Sequence, residues 1–131
     1  MIKALHYLSL LLAIAWAGVL YYLSDQPGID IPPLFFGQDK LFHATAYGVL
    51  GFLVLGALRP VQQVYDRPQL WLAFGLVAGY GVLDEIHQYF VPGRSADVFD
   101  VVADAAGGLL GMAVMIFIVS RLSGAARTAT D

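Results

Sequence analysis

Four long apolar stretches limit what this 131-residue sequence can fold into. A helix needs about 20 mostly apolar residues to cross the hydrocarbon core of a bilayer. Residues 4–23, 40–58, 69–90 and 98–120 each provide about that length, with short connections between them. Hydrophobic residues make up 59% of the chain and charged residues 13%, against roughly 25% charged residues in soluble domains. The sequence therefore predicts one all-α domain over residues 1–131, an integral membrane four-helix bundle with a polar tail at 121–131.

The first apolar stretch has two interpretations. Lys3 precedes it, and the segment Ala15-Trp16-Ala17 resembles the cleavage site of a secretory signal peptide. The apolar run is, however, longer than the roughly 7–15 residues typical of such a peptide. We therefore expect residues 4–23 to form a retained membrane helix.

The positions of lysine and arginine predict the orientation of the bundle. Five of the seven basic residues flank the stretches at one end: Lys3, Arg59, Arg67, Arg121 and Arg127. Only Lys40 and Arg94 fall at the other end. Because basic flanking segments stay in the cytoplasm, we expect both termini to be cytoplasmic and the first and third connections to face outward.

Net charge and cysteine content exclude several classes of function. The formal net charge is −3, so the chain lacks the overall basic field of a nucleic-acid-binding protein. It contains no cysteine, which excludes disulfides, thiol nucleophiles and cysteine-ligated metals.

Pairs of small residues spaced four apart predict where helices pack closely, because they allow two backbones to approach each other within a membrane. The pairs are Ala44 with Gly48, Gly75 with Gly79, and Gly107 with Gly111. We interpret all three pairs as packing features without a ligand role.

Polar residues cluster at the end of the bundle that we expect to face outward. They are Asp39, Lys40, His43 and Tyr47 in the second stretch, Asp84, Glu85, His87 and Gln88 in the third, Arg94 in the following turn, and Asp97, Asp100 and Asp104 in the fourth. Their spacings of three and four residues place them in stripes along helices. A charged side chain facing lipid costs about 2.5–3.5 kcal/mol, so we expect the stripes to face one another and line a hydrated cleft.

The sequence also predicts partners for individual side chains within these stripes. Arg94 should form a charge-assisted pair with one of the carboxylates, for which a guanidinium also allows a bidentate geometry. Asp84 should share a face with Gln88, whereas its neighbour Glu85 points about 100° away. A carboxylate at a helix start also satisfies free N–H groups, so Asp39 and Asp97 are equally well explained as helix caps.

The ordered set of polar residues resembles the VanZ-like family. The family pattern Asp-Lys-x-x-His-x-x-x-Tyr matches Asp39 to Tyr47, and its Asp-Glu-x-x-Gln followed by Pro-Gly-Arg matches Asp84 to Arg94. Spaced acids and a glycine-rich helix follow, as they do here at Asp97, Asp100, Gly107 and Gly111. The resemblance covers residues 39–111. Asp104 departs from it, since the family usually has asparagine there.

The resemblance implies a multi-pass protein of the bacterial cytoplasmic membrane with a role in the cell envelope. The family is named for a membrane protein linked to resistance against the glycopeptide antibiotic teicoplanin. The resemblance does not indicate which reaction, if any, the protein catalyses, and resistance is the phenotype of one member.

Three functional hypotheses fit the cluster. The first is recognition of an anionic lipid, a lipid-linked envelope headgroup or a glycopeptide at the outer leaflet, and we favour it. The binding residues would then be Lys40, Tyr47, Gln88, Arg94, Asp97 and Asp100. The second is a membrane hydrolase or transferase acting on such a substrate by acid–base chemistry. The catalytic residues would be Asp39, His43, Asp84 and Glu85.

The third hypothesis, an ion or proton pathway, is the weakest. The opposite halves of the second to fourth stretches carry almost no ionisable groups to continue a relay. Separately, Asp39, His43, Asp84, Glu85 and Asp100 offer nitrogen and oxygen ligands to a divalent metal, although their spacing matches no established metal motif.

Overall fold

Four α-helices make up the computed structural model, which describes residues 2–27, 34–58 and 65–128, with side chains for 5–27, 34–58 and 65–123. They are α1 (Ile2–Ser24), α2 (Gln38–Ala57), α3 (Arg67–Tyr89) and α4 (Val98–Thr128). The described residues contain no strand, and the all-α prediction is confirmed. Arg59 and the side chains of Lys3 and Arg127, which contributed to the predicted orientation, lie outside what the structure describes.

The helix boundaries differ from the predicted ones mainly at the C-terminus. The first three helices begin two residues earlier than predicted, and α4 continues to Thr128 through most of the predicted tail. Arginine, leucine and alanine at 121, 122, 125 and 126 favour a helix, and no proline interrupts it. At the start of α3, Asp66 accepts a hydrogen bond from the Gln69 backbone N–H at 2.9 Å in a reciprocal capping box.

Three of the four helices are long and apolar enough to cross a membrane. Their candidate spans are Leu5–Ser24, Gln38–Ala57 and Val98–Ser123. At 23 residues α3 is long enough to cross a membrane, but polar residues in its last two turns lower its hydropathy. Composition alone therefore does not support the predicted span over residues 69–90. Large hydrophobic side chains are exposed along all four helices, as expected for a bundle whose outer surface contacts lipid.

The closest helix contact joins α2 to α4 along a seam of glycines. An added Cβ at Gly107 would collide with the Ala44 carbonyl, and one at Gly111 would collide with the Gly48 carbonyl. The predicted packing of these two pairs is confirmed. The corresponding prediction for Gly75 and Gly79 is wrong for the described residues, since an added Cβ at either position would meet none of their atoms within 4 Å.

The first helix is attached to the bundle by side chains that bond backbone carbonyls. Trp16 donates to the Ala46 carbonyl at 2.9 Å, and the Tyr80 hydroxyl donates to the Ala17 carbonyl at 2.6 Å. The α2 helix contacts all three other helices. Contacts of Arg94 with Leu23 and of Lys40 with Asp97 bring the C-termini of α1 and α3 and the N-termini of α2 and α4 to one end of the bundle, called the polar end.

Candidate functional site

The first polar group at the polar end surrounds Lys40 in the first turn of α2. Its Nζ lies 3.0 Å from Asp39 Oδ2, 2.5 Å from Asp97 Oδ2 and 2.7 Å from Asp100 Oδ1. We call these four residues the lysine cluster. Gly37 (φ +80°) occupies the N-cap of α2, and Asp39 lies in the first turn of the helix, where a carboxylate suits the helix dipole.

Asp97 has two roles in the lysine cluster. Its Oδ1 accepts a hydrogen bond from the Phe99 backbone N–H at 2.8 Å, so it caps α4 as one interpretation expected. Its Oδ2 binds Lys40, and that hydrogen bond is the main reason why the pKa of the Asp97 carboxyl lies below its usual value. Asp97 thereby connects the starts of α2 and α4.

The second polar group lies deeper in the bundle and contains His43, Glu85 and Asp104, the histidine cluster. His43 Nδ1 is 2.9 Å from Asp104 Oδ1, and Glu85 Oε2 accepts the Asp97 backbone N–H at 2.7 Å. One potential ligand atom from each residue of the cluster lies within 4.8 Å of the others. Glu85 is 4% exposed and Asp104 is fully buried.

Two oxygens of the histidine cluster are buried without a hydrogen-bond partner among the described residues. They are Glu85 Oε1 and Asp104 Oδ2. Gly81 on α3 makes room for the second oxygen, since an added Cβ there would lie 2.8 Å from Asp104 Oδ2. Buried polar atoms are usually hydrogen-bonded, so this pair marks an unusual site.

A small cleft of about 120 Å³ opens between α1, α2 and α3 beside the histidine cluster. Its lining residues are Leu20, Leu23, Ser24, Phe42, His43, Ala46, Tyr47, Asp84, Gln88 and Arg94. Gln88 donates to Asp84 Oδ2 at 3.1 Å, which confirms that these two share a face. The Tyr47 ring stacks on that of His43, with centroids 6.4 Å apart. His43 therefore belongs to both the cluster and the cleft.

The adjacent residues Asp84 and Glu85 diverge as expected from their 100° separation on a helix. Asp84 points into the cleft, and Glu85 points toward the start of α4. Asp84 does not belong to the group of possible metal ligands formed around His43. His43 and Asp84 both line the cleft, and a metal ion held by these two side chains stays a prediction.

Arg94 does not pair with a carboxylate in the described part of the chain, contrary to the prediction. Its Nε donates to the Gln26 carbonyl at 3.1 Å and its Nη2 donates to the Leu23 carbonyl at 2.9 Å. These acceptors lie at the C-terminus of α1, where free carbonyls and the helix dipole favour a cation. The turn containing Gly93 (φ +75°) places Arg94 at this position.

His87 also lies away from His43 and its cluster. Its Nε2 is 3.1 Å from Asp25 Oδ1, and its ring contacts that of Tyr21 with centroids 4.8 Å apart. The expectation that both histidines join one constellation is wrong, because His87 faces α1 and His43 faces α4.

Two site residues lacked an assigned role in the sequence analysis. Asp104 follows Asp100 by four residues, so helical spacing placed it on the right stripe, but nothing local indicated its contact with His43. Ser24 ends α1 in the cleft wall, where its hydroxyl is buried without a hydrogen-bond partner among described residues. No sequence signal distinguishes it from an ordinary helix-terminal serine.

The fold and the site together define a small helical membrane protein with buried acidic and basic groups at one end of its bundle. The VanZ/LLP1 family model matches residues 9–119, and the chain belongs to this family. None of the curated proteins and none of the solved structures matches the chain.

Proposed function

We propose that this protein recognises the phosphate-bearing headgroup of a membrane lipid or lipid-linked envelope precursor in the cleft between α1, α2 and α3. The observation that carries the proposal is the amphipathic lining of the cleft. Leu20, Leu23 and Phe42 supply apolar wall, and Asp84 and Gln88 supply polar groups that are each at least nine-tenths buried. Ligand sites commonly combine an apolar lining with a few placed polar groups.

The charges of the cleft favour a headgroup that carries both a phosphate and hydrogen-bond donors. Arg94 uses Nε and Nη2 on backbone carbonyls, which leaves Nη1 without a partner among the described residues and open to a phosphate oxygen. The Asp84 carboxylate offers an acceptor to an amine or hydroxyl group. Lys40 is already bound to three carboxylates, so Arg94 supplies the cationic group of the cleft.

We further propose that the polar end faces the extracytoplasmic side of a bacterial cytoplasmic membrane, as the predicted distribution of basic residues implies. Because the chain has no cysteine, single substitutions provide a clean test. A membrane-impermeant maleimide should label Ser95→Cys, in the α3–α4 turn, in intact spheroplasts. Ser123→Cys, near the end of α4, should react only after permeabilisation. The reverse pattern would refute this orientation.

Headgroup recognition is tested by lipid binding to purified protein in nanodiscs, using native mass spectrometry. The arms are phosphatidylethanolamine, phosphatidylglycerol and an undecaprenyl-diphosphate-linked precursor, each against a headgroup-free diacylglycerol. A stable complex with at least one phosphate-bearing lipid, absent for diacylglycerol, is expected. Equal retention of all four would refute headgroup recognition. Teicoplanin forms a separate arm for direct binding of the antibiotic.

A cleft-filling substitution provides the matched variant. Ala46→Leu adds volume in the cleft wall while keeping the backbone carbonyl that accepts from Trp16. It should abolish headgroup retention. Ala106→Leu, on an exposed position of α4, should retain it. If both variants bind as the parent chain does, the cleft is not the site.

A second candidate function is acid–base catalysis on the bound headgroup. The observation that favours it is the buried Asp104 carboxylate on His43 Nδ1, next to the cleft. A carboxylate on one ring nitrogen orients an imidazole and leaves the other for proton transfer. Mass spectrometry of the same lipids after incubation, with His43→Ala as control, should detect products; unchanged lipids with and without divalent metals would exclude this function.

A further inference from the structure

The histidine cluster contains more negative charge than its surroundings neutralise. Among the described residues, the one ion pair within the cluster joins His43 to Asp104, and no ion pair includes Glu85. Lys40 binds the neighbouring Asp39, Asp97 and Asp100 instead. An ionised carboxylate that is buried without a partner bears the desolvation penalty of the ion with nothing to offset it, so the histidine cluster is incomplete as an electrostatic unit.

The unpartnered oxygens of the cluster point to what completes it. Glu85 Oε1 and Asp104 Oδ2 are buried, in residues that are 4% and 0% exposed, and neither has a hydrogen-bond donor within the part of the chain that the structure describes. The second oxygen of each carboxylate is already used, by the Asp97 N–H and by His43. Each carboxylate is therefore held in place by one oxygen while the other remains free to accept a cation.

We infer that His43, Glu85 and Asp104 form a binding site for one divalent transition-metal ion. Their potential ligand atoms lie within 4.8 Å of one another. Ligand atoms bind zinc at about 2.0–2.2 Å, so small side-chain shifts bring all three onto one ion. Three protein ligands leave open coordination positions for water or a ligand entering from the cleft, which His43 also lines.

The ligand types restrict the metal. One imidazole with two carboxylates suits zinc, iron or manganese, whereas an all-oxygen site would suit magnesium or calcium. The neighbouring group of Asp39, Asp97 and Asp100 also has closely spaced carboxylate oxygens. The Lys40 ammonium already lies among them, so this group does not require a metal ion.

The test uses the full chain, purified in detergent, stripped with a chelator and titrated with Zn²⁺ or Co²⁺. Calorimetry should show one Zn²⁺ per chain, and bound Co²⁺ should show the visible absorption of a nitrogen- and oxygen-ligated ion. Glu85→Gln and His43→Ala should each weaken binding by more than about 100-fold, since changes outside the ligand shell already cost about 10–100-fold.

Asp25→Asn is the matched control, because it removes an exposed carboxylate that pairs with the other histidine, His87, at the same end of the bundle. It should leave the stoichiometry and the cobalt spectrum unchanged. Helix content by circular dichroism verifies that each variant is folded. Failure of the stripped chain to bind Zn²⁺ or Co²⁺, or equal binding by the parent chain and Glu85→Gln, would overturn the inference. Neither result bears on headgroup retention, which is measured separately.

Discussion

The lysine cluster and the histidine cluster lie next to each other between α2 and α4, but their carboxylates are balanced differently. In the lysine cluster an ammonium group contacts three carboxylates, one from α2 and two from the start of α4. In the histidine cluster the more deeply buried Asp104 pairs with the His43 imidazole, Glu85 accepts only the Asp97 N–H, and each carboxylate keeps one oxygen without a partner among the described residues. Asp100 lies between them, with Oδ1 on Lys40 and Oδ2 4.0 Å from His43 Nε2.

This difference distinguishes a structural group from a binding group. An ion pair that is complete within the chain helps to hold two helix starts together and needs no further partner. A buried group with unused acceptors becomes stable only when a proton, a metal ion or a ligand joins it.

The largest effect should come from breaking the α2–α4 seam on which both clusters depend. Gly111→Leu would place a side chain against the Gly48 carbonyl and force the helices apart. We expect a loss of at least about 3 kcal/mol in unfolding free energy, at the upper end of overpacking effects, measured by SDS titration. Gly75→Ala, with open space around it, is the control and should not destabilise.

The next effect concerns the histidine cluster and its proposed metal. With free Zn²⁺ at 100 times its dissociation constant, the parent chain should gain about 2.7 kcal/mol of stability. Glu85→Gln should lose this gain, yet differ from the parent by less than about 1 kcal/mol after chelation, because the amide oxygen still accepts from the Asp97 N–H. Unfolding curves with Zn²⁺ and with chelator measure both quantities. If Glu85→Gln were much less stable than the parent chain after chelation, Glu85 would have a structural role.

A smaller effect should follow from removing the cation of the lysine cluster. Lys40→Met leaves Asp97 and Asp100 facing each other without their shared partner. Because the Lys40 side chain is 30% exposed, the loss should be about 1–2 kcal/mol, between the values for surface and buried pairs. Lys40→Arg should restore most of it. Equal stability of Lys40→Met and the parent would contradict a structural role for this cluster.

The smallest effect is the acid dependence of stability that comes from Asp97. Its folded-state pKa lies below the ordinary value because Lys40 donates to it. Its contribution is therefore present above the unfolded pKa, about 3.9, and is lost as pH falls through the folded-state pKa. The parent should lose more stability than Lys40→Met between pH 5 and 3. If the stability of the two proteins fell in parallel over this pH range, Lys40 would not be the cause of the acid dependence.

The positions of the two clusters show which contacts can be predicted from patterns in the sequence. The spacing Asp39, His43, Tyr47 placed these residues on one stripe of α2, and Asp97, Asp100, Asp104 on one stripe of α4, because side-chain direction along a helix follows from its 3.6-residue repeat. The structure confirms that both stripes meet at the polar end. Contacts within a helix, such as that between Asp84 and Gln88, were predictable for the same reason.

Partner choice across helices was not predictable from these patterns. Arg94 had several carboxylates within plausible reach, but it binds the carbonyls that end α1. His87 resembled His43 in composition and location, but it contacts Asp25. Each choice depends on how the helices are rotated about their axes, and no local spacing determines that rotation.

By itself the sequence determined the helical class, the approximate helix bounds, the family and the end of the bundle where polar groups gather. These features depend on composition and local periodicity, which act within one helix. The tertiary structure decided that Lys40 neutralises three acids and that Asp104 meets His43. Both pairings require α2 and α4 to approach through Gly48, Gly107 and Gly111, and that approach exists only once the whole bundle has packed.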